Sequence, residues 1–399
     1  MKKIAAVLSV LALLCACVPA MAEETYEPLY TLAAPYGFKM GAPLSFDQLR
    51  NQKYLNLVKA HFNSITTTNE MKAYSLLNLQ ATKARTDGMP GMNYSAADQM
   101  VQWAQDNGIG VRGHVLVWDA YMTDWFFRED YDSKKPYADQ ETIKARTESY
   151  ITEVVTHFEE KFPGVVYCWD VVNEAVGDSD SEYAAGDARH LRTLRSGSPN
   201  LFREYMGEDY VALAFLYAKN AVEALGAGPK LYYNDYNAYF SDKAQAIRAL
   251  IDSVNTFAQD ENGNNRQLCD GVGMQGYIGG YGVQEGCLVD SHVGMIRDEI
   301  LNYAAMGLEV QITEMAVRNF DLTQADKHAA FYAKLFQMFM ELNGENGNPL
   351  KAVSIWGLTD TNAPKGNYVY NLNSPYGGLF DLKLNIKDAF VKVYETLKQ

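Results

Sequence analysis

The sequence predicts an α/β chain folded as a single (β/α)8 barrel of the TIM type. Two observations carry this. Short apolar or β-branched runs alternate with longer amphipathic stretches, eight of each, and strands buried on both faces and separated by helices pair in parallel. The chain has 399 residues, enough for one large barrel, and no low-complexity linker or solenoid-period repeat divides it. A doubly wound open sheet is the runner-up. It is weakened because no Gly-x-Gly-x-x-Gly follows the first strand.

In chain order, strands are expected at Tyr36–Met40, Phe62–Thr67, Val111–Val117, Val165–Val172, Lys230–Asn234, Gly271–Gly276, Glu309–Thr313 and Val353–Leu358. Helices are expected near Phe46–Ala60, Ala96–Asn107, Gln140–Lys161, Glu208–Leu225, Lys243–Gln259, Ser291–Met306, Gln324–Leu342 and Ile386–Leu397. Hydrophobic residues make up 48% and charged residues 21% of the chain, so a large core is available and disorder is excluded. A net charge of −14 argues against nucleic acid as partner, because phosphate binding needs a cationic footprint. Aromatic content is 12%, with 27 tyrosines; flat rings suit sugars, but they also pack ordinary cores.

The N-terminus reads as a secretory signal peptide over residues 1–22. Met1-Lys2-Lys3 is basic, Ile4 to Val18 is apolar and too short to span a membrane, and Ala20-Met21-Ala22 offers a small-x-small cleavage site. Residues 23–399 then form one domain, secreted outside the cytoplasm. Leu14-Cys15-Ala16-Cys17 loosely resembles a lipobox, which makes a lipid-anchored surface form the minor alternative. No later segment reaches 18 uninterrupted apolar residues, so no membrane span is expected. Of the remaining cysteines, Cys168 sits in an apolar run as a buried thiol, and Cys269 and Cys287 are candidates for a disulfide. No Cys/His spacing suits zinc, and no metal or organic cofactor is expected.

A barrel places its active site at the C-terminal ends of its strands, and there the sequence is unusually polar. The second strand ends in Thr66-Thr67-Thr68-Asn69-Glu70-Met71-Lys72. The third carries Gly113-His114-Val115-Leu116-Val117-Trp118 and the fourth ends in Trp169-Asp170-Val171-Val172-Asn173-Glu174. The fifth ends in Tyr233-Asn234-Asp235-Tyr236-Asn237, the seventh in Ile312-Thr313-Glu314 and the eighth in Trp356-Gly357-Leu358-Thr359-Asp360. A lone Glu at a strand end is most simply a salt-bridged rim carboxylate. Glu174 and Glu314 repeat the pattern on the fourth and seventh strands, and two carboxylates facing across a cleft are what glycosidic bond cleavage requires.

Over roughly Tyr30 to Leu397 the chain resembles the family 10 glycoside hydrolases, best known as endo-β-1,4-xylanases. Trp169-Asp170-Val171-Val172-Asn173-Glu174-Ala175 is the most specific piece, and Asn69-Glu70-Met71-Lys72, Asn234-Asp235-Tyr236-Asn237 and Gly273-Met274-Gln275 support it. The resemblance implies a retaining hydrolase of xylan with Glu174 as acid/base and Glu314 as nucleophile. It also implies that Asn173 bonds the sugar 2-hydroxyl, that Asn69, Lys72, His114 and Gln275 hold the glycone sugar, and that Trp118 and Trp356 wall the same subsite. For each Trp the simpler fate is core packing, and for His114 a buried structural role.

The chain departs from the family where Thr68 replaces a Glu, Asp119 a second His, Tyr277 a His, Ala316 an Asp and Pro364 a Trp. Tyr277 is the residue whose hydroxyl can take over hydrogen bonding to Glu314. The stretch 178–200 reads either as a shaper of the leaving-group side or as a disordered surface loop. The retaining geometry implies carboxyl groups about 5–5.5 Å apart, with the Glu174 pKa raised by the charge of Glu314. The partner is a polysaccharide and the protein a monomer. The alternatives are a retaining hydrolase of another β-glycan or of a decorated xylan, or a catalytically weakened carbohydrate-binding barrel.

Overall fold

The computed structural model describes residues 26–226, 228–279, 288–362 and 374–399. The expected signal peptide with Cys15 and Cys17, and also Cys287 and Pro364, lie outside these residues.

Eight parallel strands close into a barrel. They are β1 Lys39–Leu44, β2 Ser64–Thr67, β3 Gly110–Val117, β4 Val166–Asn173, β5 Lys230–Asp235, β6 Gly271–Met274, β7 Glu309–Val317 and β8 Leu350–Ile355. Each pairs with the next, and β8 returns to β1 with Lys39 opposite Ala352 and Met40 opposite Val353, which closes the ring. The helices between them are α1 Gln52–His61, α2 Ser95–Asp106, α3 Gln140–Lys161, α4 Tyr210–Leu225, α5 Ser241–Asn255, α6 Ser291–Ala305, α7 Ala325–Asn346 and α8 Asp388–Leu397.

The expected order is present throughout, and the differences lie at element ends. β1 begins at Lys39, three residues later than the sequence pattern suggested. A 3-10 turn over Ala34–Tyr36 ends at Gly37 in a left-handed conformation (φ +79°), and the strand runs on through Pro43 to Leu44. A proline in a strand interior normally reads as a stop. Here β1 pairs with β8 only as far as Gly41, so at Pro43 that neighbouring ladder has ended. The expected helix Phe46–Ala60 is likewise divided into a 3-10 turn, Phe46–Arg50, and α1. The break is at Asn51, whose side chain caps α1 by accepting the Tyr54 amide proton.

The first and last described segments meet. Tyr26 packs edge-on against Phe390 and Tyr394 of α8, and Lys398 pairs with Glu27.

Inside the barrel, under the mouth, lies a buried ionic layer. Arg112 of β3 grips Asp170 of β4 with two bonds of 2.5 and 2.9 Å, and its Nε donates to Gln311 of β7 at 2.8 Å, reaching across the barrel. Gln311 in turn donates to the Cys168 sulfur at 3.7 Å. Burial pushes the Cys168 thiol up to about 12, so it is an inert core group. Cys269 is also buried, with its sulfur 3.3 Å from the Gly271 carbonyl oxygen.

Among the described residues, no helix is long and apolar enough to cross a membrane.

Removing one partner of a buried ion pair strands the other, at a cost of about 3–5 kcal/mol. Asp170→Ala is therefore expected to lower the unfolding free energy by about that amount in urea titration; a loss under about 1 kcal/mol would show that Arg112 finds a substitute partner.

Candidate active site

The strand ends assemble one polar floor at the mouth of the barrel. Its centre is the amide oxygen of Asn173, the last residue of β4. Asn234 of β5 donates to it at 2.9 Å and Gln275, just past β6, at 3.3 Å. Each donor also reaches a carboxylate. Asn234 Nδ2 lies 3.1 Å from Glu314 Oε1, and Gln275 Nε2 lies 2.9 Å from Glu174 Oε1. A continuous chain of amide hydrogen bonds therefore runs from Glu314 through Asn234, Asn173 and Gln275 to Glu174.

The direction of the chain is set from below. Thr313 donates its hydroxyl to Asn234 Oδ1 at 2.7 Å, which turns the amide so that its NH2 faces Asn173 and Glu314. Gly273 makes room for this arrangement, since a Cβ there would lie 2.2 Å from Asn234 Oδ1 and 2.9 Å from Thr313 Cγ2. With Asn173 Oδ1 taken up by two donors, its Nδ2 is buried and has no protein partner among the described residues. The indole nitrogen of Trp118 is in the same state. Buried donors left in this way are rare in native proteins and mark places for a ligand oxygen.

Glu314 is 8% exposed and Glu174 9% exposed, so both carboxyl groups open on the mouth through little surface. The Tyr277 hydroxyl donates to Glu314 Oε2 at 2.5 Å. Tyr277 and Ala316, two of the departures from the resembling family, are register partners in a two-residue parallel ladder of Tyr277–Ile278 with Ala316–Val317. A small residue thus stands directly opposite the large ring, which accounts for the two changes occurring together.

Glu174 has a left-handed backbone, φ +54°, a state that costs a non-glycine residue about 1–3 kcal/mol. Its amide donates to the Asn234 carbonyl at 2.9 Å, and its carbonyl accepts from Arg195 at 2.8 Å and Arg192 at 3.2 Å. Burial raises the Glu174 pKa most strongly. Arg195 pulls it back, while the charges of Asp235 and Glu314 add to the rise, leaving it at about 7. Burial, not the charge of Glu314, is thus the chief source of the elevation, and Asp235 contributes ahead of Glu314.

Around this pair the structure places the other expected residues as follows. His114 is buried with Nδ1 2.8 Å from Asp170 Oδ2, which leaves its Nε2 as the nitrogen open to a ligand. Burial tends to raise Asp170, but Arg112 and His114 outweigh it and hold the carboxylate below its usual range. Lys72 donates to Asn69 Oδ1 at 3.1 Å and lies over the rings of Tyr121 and Trp118, 4.2 and 5.1 Å from their centroids. Burial lowers the Lys72 pKa, against the opposing charges of Glu314, Glu174 and Glu70. Trp356 follows the end of β8 and is half-buried. Gln275, expected at the glycone sugar, donates directly to Glu174.

Three participants were not singled out as site residues by sequence reasoning. Asn234 and Thr313 lay inside quoted motifs, and their strand-end placement was the available signal. Arg195 had none, being 21 residues from Glu174 in a polar stretch. That stretch is structured. Val176 bridges to Leu191 and Tyr183 to Arg192, a hairpin forms from Leu194–Arg195 and Ser198–Pro199, and buried Arg192 ties it to Val176, Asp178 and Glu182. The disordered alternative for residues 178–200 is thereby overturned.

Among the described residues no group of three or more His, Cys, Asp or Glu is arranged to hold a metal ion. The sequence profile of glycosyl hydrolase family 10 matches residues 29–396. The chain belongs to glycosyl hydrolase family 10.

Family 10 relatives include a Caldicellulosiruptor saccharolyticus protein assigned as an endo-1,4-beta-xylanase, 34% identical over 73% of this chain and 86% of its own length. Endo-1,4-beta-xylanase B of Butyrivibrio fibrisolvens is 30% identical over 92% of this chain, which spans 53% of that longer protein. Among solved structures, the CBM22–GH10 modules of a Clostridium thermocellum endo-1,4-beta-D-xylanase, complexed with xylohexaose, superpose with a TM-score of 0.77 at 27% identity, covering 92% of this chain and 67% of the other. A Caldicellulosiruptor owensensis endo-1,4-beta-xylanase gives 0.70 at 26% identity, covering 92% and 99%.

A hydrogen bond to a charged carboxylate is worth about 1.5–3 kcal/mol. Tyr277→Phe is therefore expected to lower kcat/KM about 10- to 100-fold in steady-state assays on an aryl glycoside. An unchanged value would show the hydroxyl idle.

Proposed function

We propose that this glycoside hydrolase is a retaining endo-1,4-β-xylanase in which Glu314 is the nucleophile and Glu174 the acid/base. The observation that carries the assignment is the amide chain joining the two carboxylates. It gives them different surroundings on one floor: Glu314 accepts from Asn234 and Tyr277, whereas Glu174 is raised to about 7. A carboxyl group whose proton is held to near neutral pH suits the acid, and one that accepts two donated hydrogen bonds suits the nucleophile. The names of the relatives supply the polymer: they are xylanases, and the superposed Clostridium thermocellum modules hold xylohexaose.

Glu314 attacks the anomeric carbon while Glu174 passes its proton to the departing oxygen. Water then enters, deprotonated by Glu174, and the ester to Glu314 is hydrolysed with net retention. Loss of the Glu314 charge in the ester removes one of the influences that raise Glu174, which favours its change to a base. Asn173 Nδ2, buried without a protein acceptor among the described residues, is suited to the sugar 2-hydroxyl. Such a bond strengthens in the transition state. Lys72, His114, Trp118 and Trp356 complete the glycone side. Binding without cleavage is disfavoured, because a pure binder has no use for two opposed carboxyl groups with separate donors.

We also propose action as a monomer. The pattern of residues 1–22 supports export, as does a polymer too large to enter a cell. A secreted or periplasmic product beginning near Glu23 is expected on N-terminal sequencing; a cytoplasmic chain retaining Met1 would refute export.

On xylan, kcat/KM should fall on the alkaline side with a pKa near 7, since Glu174 must carry a proton for the first step and loses it as pH rises. Glu174→Ala should abolish xylan turnover, keep the first step on substrates with good leaving groups, and yield a β-glycosyl azide when azide is added. Unchanged xylan turnover in this variant, or an α-configured azide product, would refute the assignment.

A further inference from the structure

Arg195 touches the carboxyl group that the preceding reading makes the acid/base, and the inference below rests on that reading. Its Nη1 donates to Glu174 Oε2 at 2.9 Å and its Nη2 to the Glu174 carbonyl at 2.8 Å. The other edge of the guanidinium is bidentate on Asp119, at 2.9 and 2.8 Å. Asp119 stands at the end of β3 where the resembling family carries a second His, and Arg195 stands on the hairpin of the 178–200 segment. The Asp119 side chain is 7% exposed and that of Glu174 11%, so solvent screens the contacts weakly.

We propose that Arg195, anchored by Asp119, is a positioning residue that holds the Glu174 carboxyl in the mouth and sets the pH at which it releases its proton.

The groups facing Glu174 come from every side. Gln275 occupies Oε1. Asp235 of β5 and Glu314 of β7 face it as negative charges, and Lys72 from beyond β2 as a positive one. Arg192 touches only its backbone carbonyl. Among the described residues, Arg195 is the one cation within ion-pair distance of the carboxyl oxygens. A bare guanidinium there would favour the ionised form, which is the wrong form for the first chemical step. Asp119, by pairing with two N–H groups of the same guanidinium, offsets part of that charge and keeps the fork aligned. Glu174 is thus held in place by a cation whose field has been weakened, and it keeps a proton near neutral pH.

The test is the pH dependence of kcat/KM on xylan for the full chain. Arg195→Met should move the alkaline limb up by about 1 unit, and Asp119→Asn should move it down, because the guanidinium then acts on Glu174 alone. Arg195→Lys, which retains the charge without the fork, should lie between wild type and Arg195→Met and serves as the test if Arg195→Met does not fold. On an aryl glycoside that needs no acid, the first step should lose less in Arg195→Met than xylan turnover does, since that step bypasses Glu174.

A merely structural role would lower rates on both substrates and leave the alkaline limb where it is, and that result overturns the proposal. Shifts of Arg195→Met and Asp119→Asn in the same direction overturn it as well. A wild-type chain inert on xylan instead refutes the xylanase reading, a distinguishable outcome that takes this inference down with it.

Discussion

One oxygen atom, Asn173 Oδ1, receives donors from the ends of two other strands, and both carboxyl groups of the site hang from those donors. Two acidic groups brought to one barrel mouth repel and resist leaving water. The fold answers with neutral amides rather than with cations alone. An amide donor satisfies a carboxylate oxygen without cancelling its charge, and burial, set against Arg195, is what leaves Glu174 its proton. The arrangement depends in turn on the Thr313 hydroxyl, which decides which end of the Asn234 amide faces the sugar side, and on the missing side chain of Gly273, which leaves that amide its space.

Charge is layered along the barrel axis. Deep inside, Arg112 and Asp170 neutralise one another, and Asp170 lends its second oxygen to His114. Above them the amide chain is neutral. At the rim, Lys72 sits over Tyr121 and Trp118 while Arg195 spans Asp119 and Glu174. The low layer orients the His114 imidazole, and the high layer acts on the reacting carboxyl. The loop residues 178–200 belong to this upper layer because Arg192 and Lys243 pin their base to Val176 and Asp178.

Most of the barrel was legible in the sequence, because strands buried on both faces must be apolar throughout and their polar caps then stand out. β4 and β7 were marked this way, with Glu174 and Glu314 directly after the apolar runs. The end of β1 was not, since Pro43 reads as a breaker until its place beyond the last β8 pairing is known. Nor was the break at Asn51, a cap hidden within an amphipathic pattern. In the site, Asn234 and Gln275 were visible as motif residues, but their partners were not, because a hydrogen-bond direction depends on neighbours such as Thr313 from a different strand. Arg195 was invisible: its hairpin is two residues on each side, and nothing in a polar run tells which side chain turns inward. The source of the Glu174 elevation was misjudged for a related reason, since burial is a property of the assembled mouth and has no local signature.

The ring closes where β8 pairs with β1, and just outside that seam Tyr26 packs against Phe390 and Tyr394 while Lys398 meets Glu27. Head and tail of the described domain therefore share one corner. A short linker joining them, with new ends opened in an exposed loop elsewhere, would preserve every strand pairing, and barrels with such neighbouring ends tolerate circular permutation. For the same reason, modules fused at either end would leave the domain from a common point, so that two of them would compete for the same space.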